Sequence, residues 1–327
     1  MRIPLPQEFG ERAREILAGR ATPARAHDAA TVVLLRDAPL EAYLLRRKAT
    51  MAFAAGAYVF PGGSVDPRDS DRAVAWAGPS PAEWAAVLGA DEATARGLVC
   101  AAVRETFEES GVLLAGPDPA TVVADTTGDD WEADRLALIG RTLSFAEFLD
   151  RRGLVLRADL LKAWAHWITP EVEPRRYDTR FFVAALPPGQ RTRDVGGEAD
   201  RVVWLSPRSA LDAAVKGEVF LMPPTSRTLL EISAFGALDE VFAAERRIST
   251  IQPAAAEVDG RLVLVFPDGG GPGIPSGPDI PSEPGIPSGP GIPSEPGIPR
   301  VPGIPRVPGV PGGSSVPGGL GGEQERA

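Results

Sequence analysis

In the segment Arg104-Glu105-Thr106-Phe107-Glu108-Glu109-Ser110-Gly111-Val112, six consecutive residues hold three carboxylates and one guanidinium, and a glycine follows two positions later. Wound as a helix at about 100° per residue, Arg104, Glu108, Glu105 and Glu109 span about 140° and share one face. Val99, Val103, Thr106 and Phe107 share the other. Glu105 and Glu109 stand four apart, a like-charge spacing that costs a few tenths of a kcal/mol unless a positive group sits between them. Hard oxygen donors in such an array suit Mg²⁺ or Mn²⁺. The same charges on the solvated face of an ordinary amphipathic helix would need no ligand, and the flanking sequence decides between the two readings.

Arg-Glu-x-x-Glu-Glu-x-Gly-hydrophobic resembles the second half of the Nudix box. Gly63 with Asp69 six positions on, led in by Phe60-Pro61-Gly62, is similar to its first half. Two features depart from the common pattern: Asp69 stands where a glutamate is usual, and 34 residues separate it from Arg104. An insertion at 67–93 therefore interrupts the box. Such an insertion marks a subgroup of Nudix hydrolases typified by the coenzyme A diphosphatase of mammalian peroxisomes. The stretches Leu44 to Arg47 leading to Gly56 to Gly63, Trp167 to Pro170, Pro174 to Phe182 and Met222 to Thr225 resemble that subgroup too.

The resemblance implies a Mg²⁺- or Mn²⁺-dependent hydrolase that cleaves the phosphoanhydride of coenzyme A or acyl-coenzyme A to adenosine 3′,5′-bisphosphate and (acyl-)4′-phosphopantetheine. A nucleotide sugar, dinucleotide or nucleoside triphosphate is the nearest alternative substrate, and a non-catalytic Nudix-fold binding module is the alternative of another class. It further implies metal ligation by Glu105, Glu108, Glu109 and the carbonyl of Gly63. Arg104 would orient a glutamate, Asp69 would stand behind these ligands, and Glu105 and Glu198 would be the catalytic carboxylates. Arg47, Arg175 and Arg176 are candidates for the 3′-phosphate, and Trp167 and Phe182 for an apolar substrate wall. A separate coenzyme A motif of the superfamily has an arginine where this chain has Ala52.

These residues need elements to position them. Residues 30–36 and 40–46 read as two strands across the Asp37-Ala38-Pro39 turn, and 57–60 as a third that leads into a glycine loop able to approach a ligand closely. Ser80 caps a helix over 81–88, Asp91 caps the acidic helix over 92–110, and Gly111 ends it. Helices are expected at 144–150, at 157–166 through Leu160, Leu161 and Trp164, at 207–215, at 225–235 and at 237–247. Strands are expected at 180–185, 201–205 and 261–266. The fold expected is α/β, a Nudix-type α/β/α sandwich around a mixed sheet with extra helices, spanning 1–268.

From Gly271 the chain repeats every six residues, as in Gly285-Ile286-Pro287-Ser288-Gly289-Pro290, and 15 of its 34 prolines lie there. Serine or arginine at alternate third positions excludes collagen. Such a composition buries too little apolar surface to offset ordering, so a disordered tail is expected over 269–327. A net charge of −10 without any basic run argues against nucleic acid as partner. The single Cys100 forms no internal disulfide and belongs with the core side of its helix, while His27 and His166 lack metal or triad spacing. Without an apolar run of membrane length or a signal-peptide core, a cytoplasmic protein is expected, and the resemblance implies a small-molecule diphosphate as its partner. The insertion is open to two roles, a cover over the substrate or a contact in a homodimer.

Overall fold

The computed structural model describes residues 2–48, 50, 54–71, 74–193 and 199–267. The chain begins with β1 (Arg2–Pro4) and α1 (Gly10–Leu17), then forms β2 (Ala26–Arg36), β3 (Glu41–Arg47), β4 (Ala57–Val59) and β5 (Gly62–Ser64). The insertion holds α2 (Pro67–Asp71), β6 (Trp76–Ala77) and α3 (Pro81–Leu88), and leads into α4 (Glu92–Ser110). Next come β7 (Ala115–Gly116), α5 (Asp129–Ile139), α6 (Phe145–Arg152), β8 (Val155–Arg157), β9 (Leu161–Ile168) and β10 (Arg176–Ala185). β11 (Ala199–Leu205), α7 (Pro207–Val215), β12 (Phe220–Leu221), α8 (Pro223–Ile232) and α9 (Leu238–Ala243) follow. β13 (Thr250–Ile251), β14 (Ala254–Val258) and β15 (Arg261–Val265) end the described chain.

The largest sheet runs β12-β4-β3-β2-β10-β9-β13, with β11 also paired to β3 and β5 to β2. It is mixed: β2 is parallel to β10 and antiparallel to β3 and β5. The apolar run of β2 is central and buried on both faces, as its unbroken Val-Val-Leu-Leu composition demands. Ala30, Val32 and Leu34 enter one core with α3, α4 and α6, and Val33 and Leu35 enter another with α7, α8 and α9. Tyr43 and Leu45 of β3 and Phe182 and Ala184 of β10 join the first core; Ala42, Leu44, Phe181 and Val183 join the second. The period-2 alternation of the strands thus builds the expected α/β sandwich. Among the described residues no helix is long and apolar enough to cross a membrane.

The insertion helix and the acidic helix fall where their caps predict. The Ser80 hydroxyl accepts from the Glu83 N–H while the Glu83 carboxylate accepts from the Ser80 N–H, a complete capping box. Asp91 accepts from Thr94 N at 2.9 Å, and Gly111 closes α4 in the left-handed region at φ 74°.

One expected helix is instead a strand. Residues 161–168 pair antiparallel with β10, and the register jumps between Phe181, opposite Ala165, and Phe182, opposite Ala163. Trp164 is therefore an extra, bulged residue that changes the phase of the alternation. Leu161 and Ala163 face the α4 core, whereas Trp164 and Trp167 face the other. This phase change imitates helical spacing in the sequence. Helix α5, by contrast, has little sequence signal, since Gly128 precedes it without a side-chain cap and Leu136 and Ile139 are exposed.

Candidate active site

The central sheet, the insertion and α4 meet at the glycine loop. β5 lies antiparallel to β2 with Gly63 opposite Ala30, which fixes its backbone against the sheet. α4 crosses it so closely that a Cβ on Gly63 would stand 2.4 Å from Glu105 Oε1. The Gly62 N–H donates to Glu109 Oε2 at 2.8 Å. Farther along α4, Gly97 lets α2 approach, since a Cβ there would meet Ser70 Oγ at 2.4 Å. That approach carries Asp69 to Arg104, closing in space the break that the insertion makes in sequence.

Arg104 is 8 % exposed, and its donors are all engaged. Nε donates to both Asp69 oxygens at 3.2 Å, Nη2 to Asp69 Oδ2 and the Ser64 carbonyl at 2.9 Å each, and Nη1 to Glu105 Oε1 at 2.7 Å and Glu108 Oε1 at 3.2 Å. The guanidinium therefore links three carboxylates and touches the glycine strand. Burial pushes the Glu105 carboxyl up to about 7, against the opposing pull of Arg104. Burial likewise raises Glu108 and Asp69 against Arg104. Burial disfavours the charged guanidinium, yet Glu105 and Asp69 hold Arg104 above its ordinary value.

Among the described residues no three His, Cys, Asp or Glu side chains already form a cation cage; the guanidinium lies among the acids. The donor set nevertheless fits a hard divalent cation. Glu105, Glu108 and Glu109 offer only oxygen donors beside a glycine whose missing Cβ leaves the carboxylate room. One arginine leaves this group of four acids negative, a deficit that a divalent cation would offset.

The last turn of α4 is held from outside. Arg135 Nη1 donates to the Glu108 carbonyl at 2.6 Å, Arg193 N to the Ser110 carbonyl at 3.0 Å, and Thr126 Oγ1 to the Gly111 carbonyl at 2.6 Å. Glu132 binds both arginines, at 2.6 Å and 2.9 Å to Arg135 and at 2.6 Å to Arg193. Those hydrogen bonds, Arg135's first, hold its carboxyl down to about 2. No local motif in the sequence marks Arg135 or Arg193 as supports of α4, because the carbonyls they bond are distant in the chain.

The other expected residues divide. Arg47 ends β3 opposite Ala199 of β11, and Arg175 is exposed. Arg176 is buried and donates to the carbonyls of Thr169 at 3.1 Å and Ala24 at 2.7 Å, so its guanidinium serves the fold. Trp167 packs edge-on against Phe266 in the core on the far side of the sheet from α4. Phe182 packs against Trp84 of α3 in the near core. Ala52 and Glu198 lie outside the described residues. Cys100 is buried, and burial pushes its thiol up to about 12, which suits a core residue. His166 joins Asp178 Oδ1 at 2.5 Å and Thr250 Oγ1 at 2.8 Å, linking β9 to β10 and β13.

Comparison with known proteins follows the same lines. A family model described as the NUDT19 Nudix domain matches residues 82–232. The chain is 27% identical over 277 residues to the acyl-coenzyme A diphosphatase NUDT19 of Gallus gallus, covering 68% of this chain and 72% of that one. It is 26% identical over 277 residues to the Homo sapiens protein of the same name, with the same coverage. A Nudix hydrolase structure from Alicyclobacillus acidocaldarius aligns with a TM-score of 0.57 at 29% identity, over 68% of this chain and 98% of that one.

Proposed function

We propose that this chain, a Nudix hydrolase by its match to the NUDT19 Nudix domain and its similarity to the relatives above, cleaves the phosphoanhydride of coenzyme A or an acyl-coenzyme A. The products would be adenosine 3′,5′-bisphosphate and (acyl-)4′-phosphopantetheine. The observation that carries the reaction is the placement of Glu105 and Glu109 against the Gly62-Gly63 strand, with Arg104 joining Glu105 to Glu108. The substrate assignment draws on relatives named as acyl-coenzyme A diphosphatases.

Glu105, Glu108, Glu109 and the Gly63 carbonyl would hold Mg²⁺ or Mn²⁺, which when bound supplies Lewis acidity and neutralises substrate charge. The chain's own groups do the positioning. Arg104 fixes the Oε1 atoms of Glu105 and Glu108, and Asp69 with the Ser64 carbonyl fixes Arg104 in turn. The Gly62 N–H orients Glu109. Water attacks one phosphorus atom, the anhydride bond to the other phosphate breaks, and Glu105 and Glu198 are the carboxylates proposed to take up the water's proton. Arg47 and Arg175 are proposed partners of a 3′-phosphate. With a net charge of −10, a small-molecule diphosphate is favoured over nucleic acid, and a cytoplasmic location is part of the same proposal.

Incubation with Mg²⁺ or Mn²⁺ and a panel of coenzyme A, acetyl-coenzyme A, NADH, ADP-ribose and dGTP, with products separated chromatographically, tests the substrate. Adenosine 3′,5′-bisphosphate is expected as the main product from the first two. Faster turnover of another member of the panel would transfer the assignment to that substrate.

A further inference from the structure

We infer that Arg135 is a positioning residue for the metal ligands Glu108 and Glu109: by binding the Glu108 carbonyl it sets the last turn of α4 at the pitch that ligation needs. The inference rests on the hydrolase reading above. Arg135 lies beyond the Nudix box, on α5.

The ligands occupy the weakest part of their helix. Glu108 and Glu109 stand in the last turn of α4, which ends at Ser110. Carbonyls of a last turn have no donor within the helix, so an unsupported turn frays or tightens towards a 3₁₀ turn. Tightening changes the rise from about 1.5 Å to about 2.0 Å per residue, which displaces a side chain two residues along by about 1 Å. Metal–ligand distances tolerate only about 0.2 Å. The pitch of this turn therefore decides whether Glu105, one turn earlier, can hold a cation together with Glu108 and Glu109.

That turn is supported from outside, and Arg135 makes the contact at a ligand itself. Its Nη1 donates to the Glu108 carbonyl at 2.6 Å, on the residue whose side chain accepts from Arg104 at 3.2 Å. Arg193 N and Thr126 Oγ1 bind carbonyls farther on, those of Ser110 and Gly111. Nε and Nη2 of Arg135 hold Glu132 at 2.9 Å and 2.6 Å, and Glu132 accepts from Arg193 Nη1 at 2.6 Å. Two bonds to one carboxylate fix the guanidinium plane, so Nη1 reaches the carbonyl with a set direction as well as a charge.

Packing alone does not account for an arginine at this position. Arg135 and Leu138 are the buried residues among the eleven of α5, and Arg135 is 2 % exposed. Burying its charge is costly, and an apolar side chain of similar volume often serves stability as well or better. Apolar contact between α5 and α4 is already made by Trp131, which packs edge-on against Phe107 at 6.3 Å. An apolar residue at position 135 could not supply the donor to the Glu108 carbonyl.

The test measures Mn²⁺ binding to the full chain without substrate, by electron paramagnetic resonance, for wild type, Arg135→Met, Arg135→Lys and Glu132→Gln. Arg246→Met is the control, because Arg246 likewise joins a glutamate to a distant backbone carbonyl, Glu231 to Trp164, but on the far side of the sheet. Arg135→Met is expected to raise the Kd for Mn²⁺ about tenfold, the effect of losing a residue that holds a metal ligand in place. Arg135→Lys keeps the charge without the fork and recovers part of that loss. Glu132→Gln loosens the fork from its other side and shifts the Kd in the same direction, whereas Arg246→Met leaves it unchanged. In turnover assays of Arg135→Met, the Mn²⁺ concentration for half-maximal rate rises by the same factor, while KM for coenzyme A at saturating Mn²⁺ stays at the wild-type value. A wild-type Kd in folded Arg135→Met, or an equal rise in Arg246→Met, overturns the inference and leaves the hydrolase reading in place. Should Arg135→Met not fold, a wild-type Kd in Glu132→Gln overturns it instead. A wild type that neither binds Mn²⁺ nor turns over any diphosphate overturns the hydrolase reading, and the role of Arg135 with it.

Discussion

Glu105 sits where a single added methyl group would displace it. A Cβ on Gly63 would meet the Glu105 carboxylate, the movable end of a flexible side chain, whereas a Cβ on Gly62 would meet the Ala30 carbonyl at 2.5 Å and Thr31 Cα at 2.8 Å. Adjacent glycines therefore have separable roles. Gly63→Ala is expected to lower kcat by about 10²-fold through a misplaced carboxylate, with unfolding free energy within about 1 kcal/mol of wild type. Gly62→Ala is expected to destabilise by about 1–3 kcal/mol, because backbone must move. Urea midpoints and initial rates on the two variants measure both effects; equal stability losses would contradict the separation. The carboxylates and both glycines were legible in the sequence, since residue type and spacing carry them. The bidentate Asp69–Arg104 pair was legible only as a role behind the ligands, because 34 residues separate its partners in the chain and the close approach at Gly97 brings them together only in the fold.

At the scale of elements, the acidic helix is held at both ends by different means. Its start is local, the Asp91 cap, and the sequence announces it. Its end depends on Arg135, which is 2 % exposed, and on Thr126 and Arg193, none of which any local pattern reveals. A guanidinium against the last carbonyls also complements the negative end of the helix. Glu132 neutralises that charge, and its carboxyl is held down to about 2, first by the hydrogen bonds from Arg135. A carboxyl depressed by folding stabilises the native state above the ordinary carboxylate range and ceases to do so as pH falls through its folded value. Glu132→Gln should therefore cost about 1–2 kcal/mol at pH 7, after allowance for solvent screening of a partly exposed group. The difference should close as pH falls from about 4.5 towards 2. Unfolding titrations of both proteins across that range check the sign, and a gap independent of pH would contradict it. Strand β9 was misread for a related reason: the bulge at Trp164 depends on the partner strand β10 and leaves helical spacing in the sequence.

Across the whole described molecule, one sheet separates two cores, and the chemistry belongs to one side. The core with α3, α4 and α6 backs the acidic helix, while Trp167 lies in the core beyond the sheet. That division sets Trp167 on the far side of the sheet from α4 while Phe182 stays on the near side, a split that sequence alone could not place because the alternation deciding which face Trp167 occupies is reset by the same bulge. The mixed sheet and the helical layers were legible, as the apolar runs of β2 and β10 demand burial on both faces. The hexapeptide repeats lie outside the described residues. The central claim is that the carboxylate face of α4, set against Gly62-Gly63, drives phosphoanhydride cleavage. Its most direct test is kcat for coenzyme A hydrolysis by Glu108→Gln beside wild type at saturating Mg²⁺, with melting temperatures recorded for both. The account predicts a fall of about two to three orders of magnitude with the fold intact, equivalent to several kcal/mol of transition-state stabilisation. A folded Glu108→Gln variant that retains the wild-type rate would contradict it.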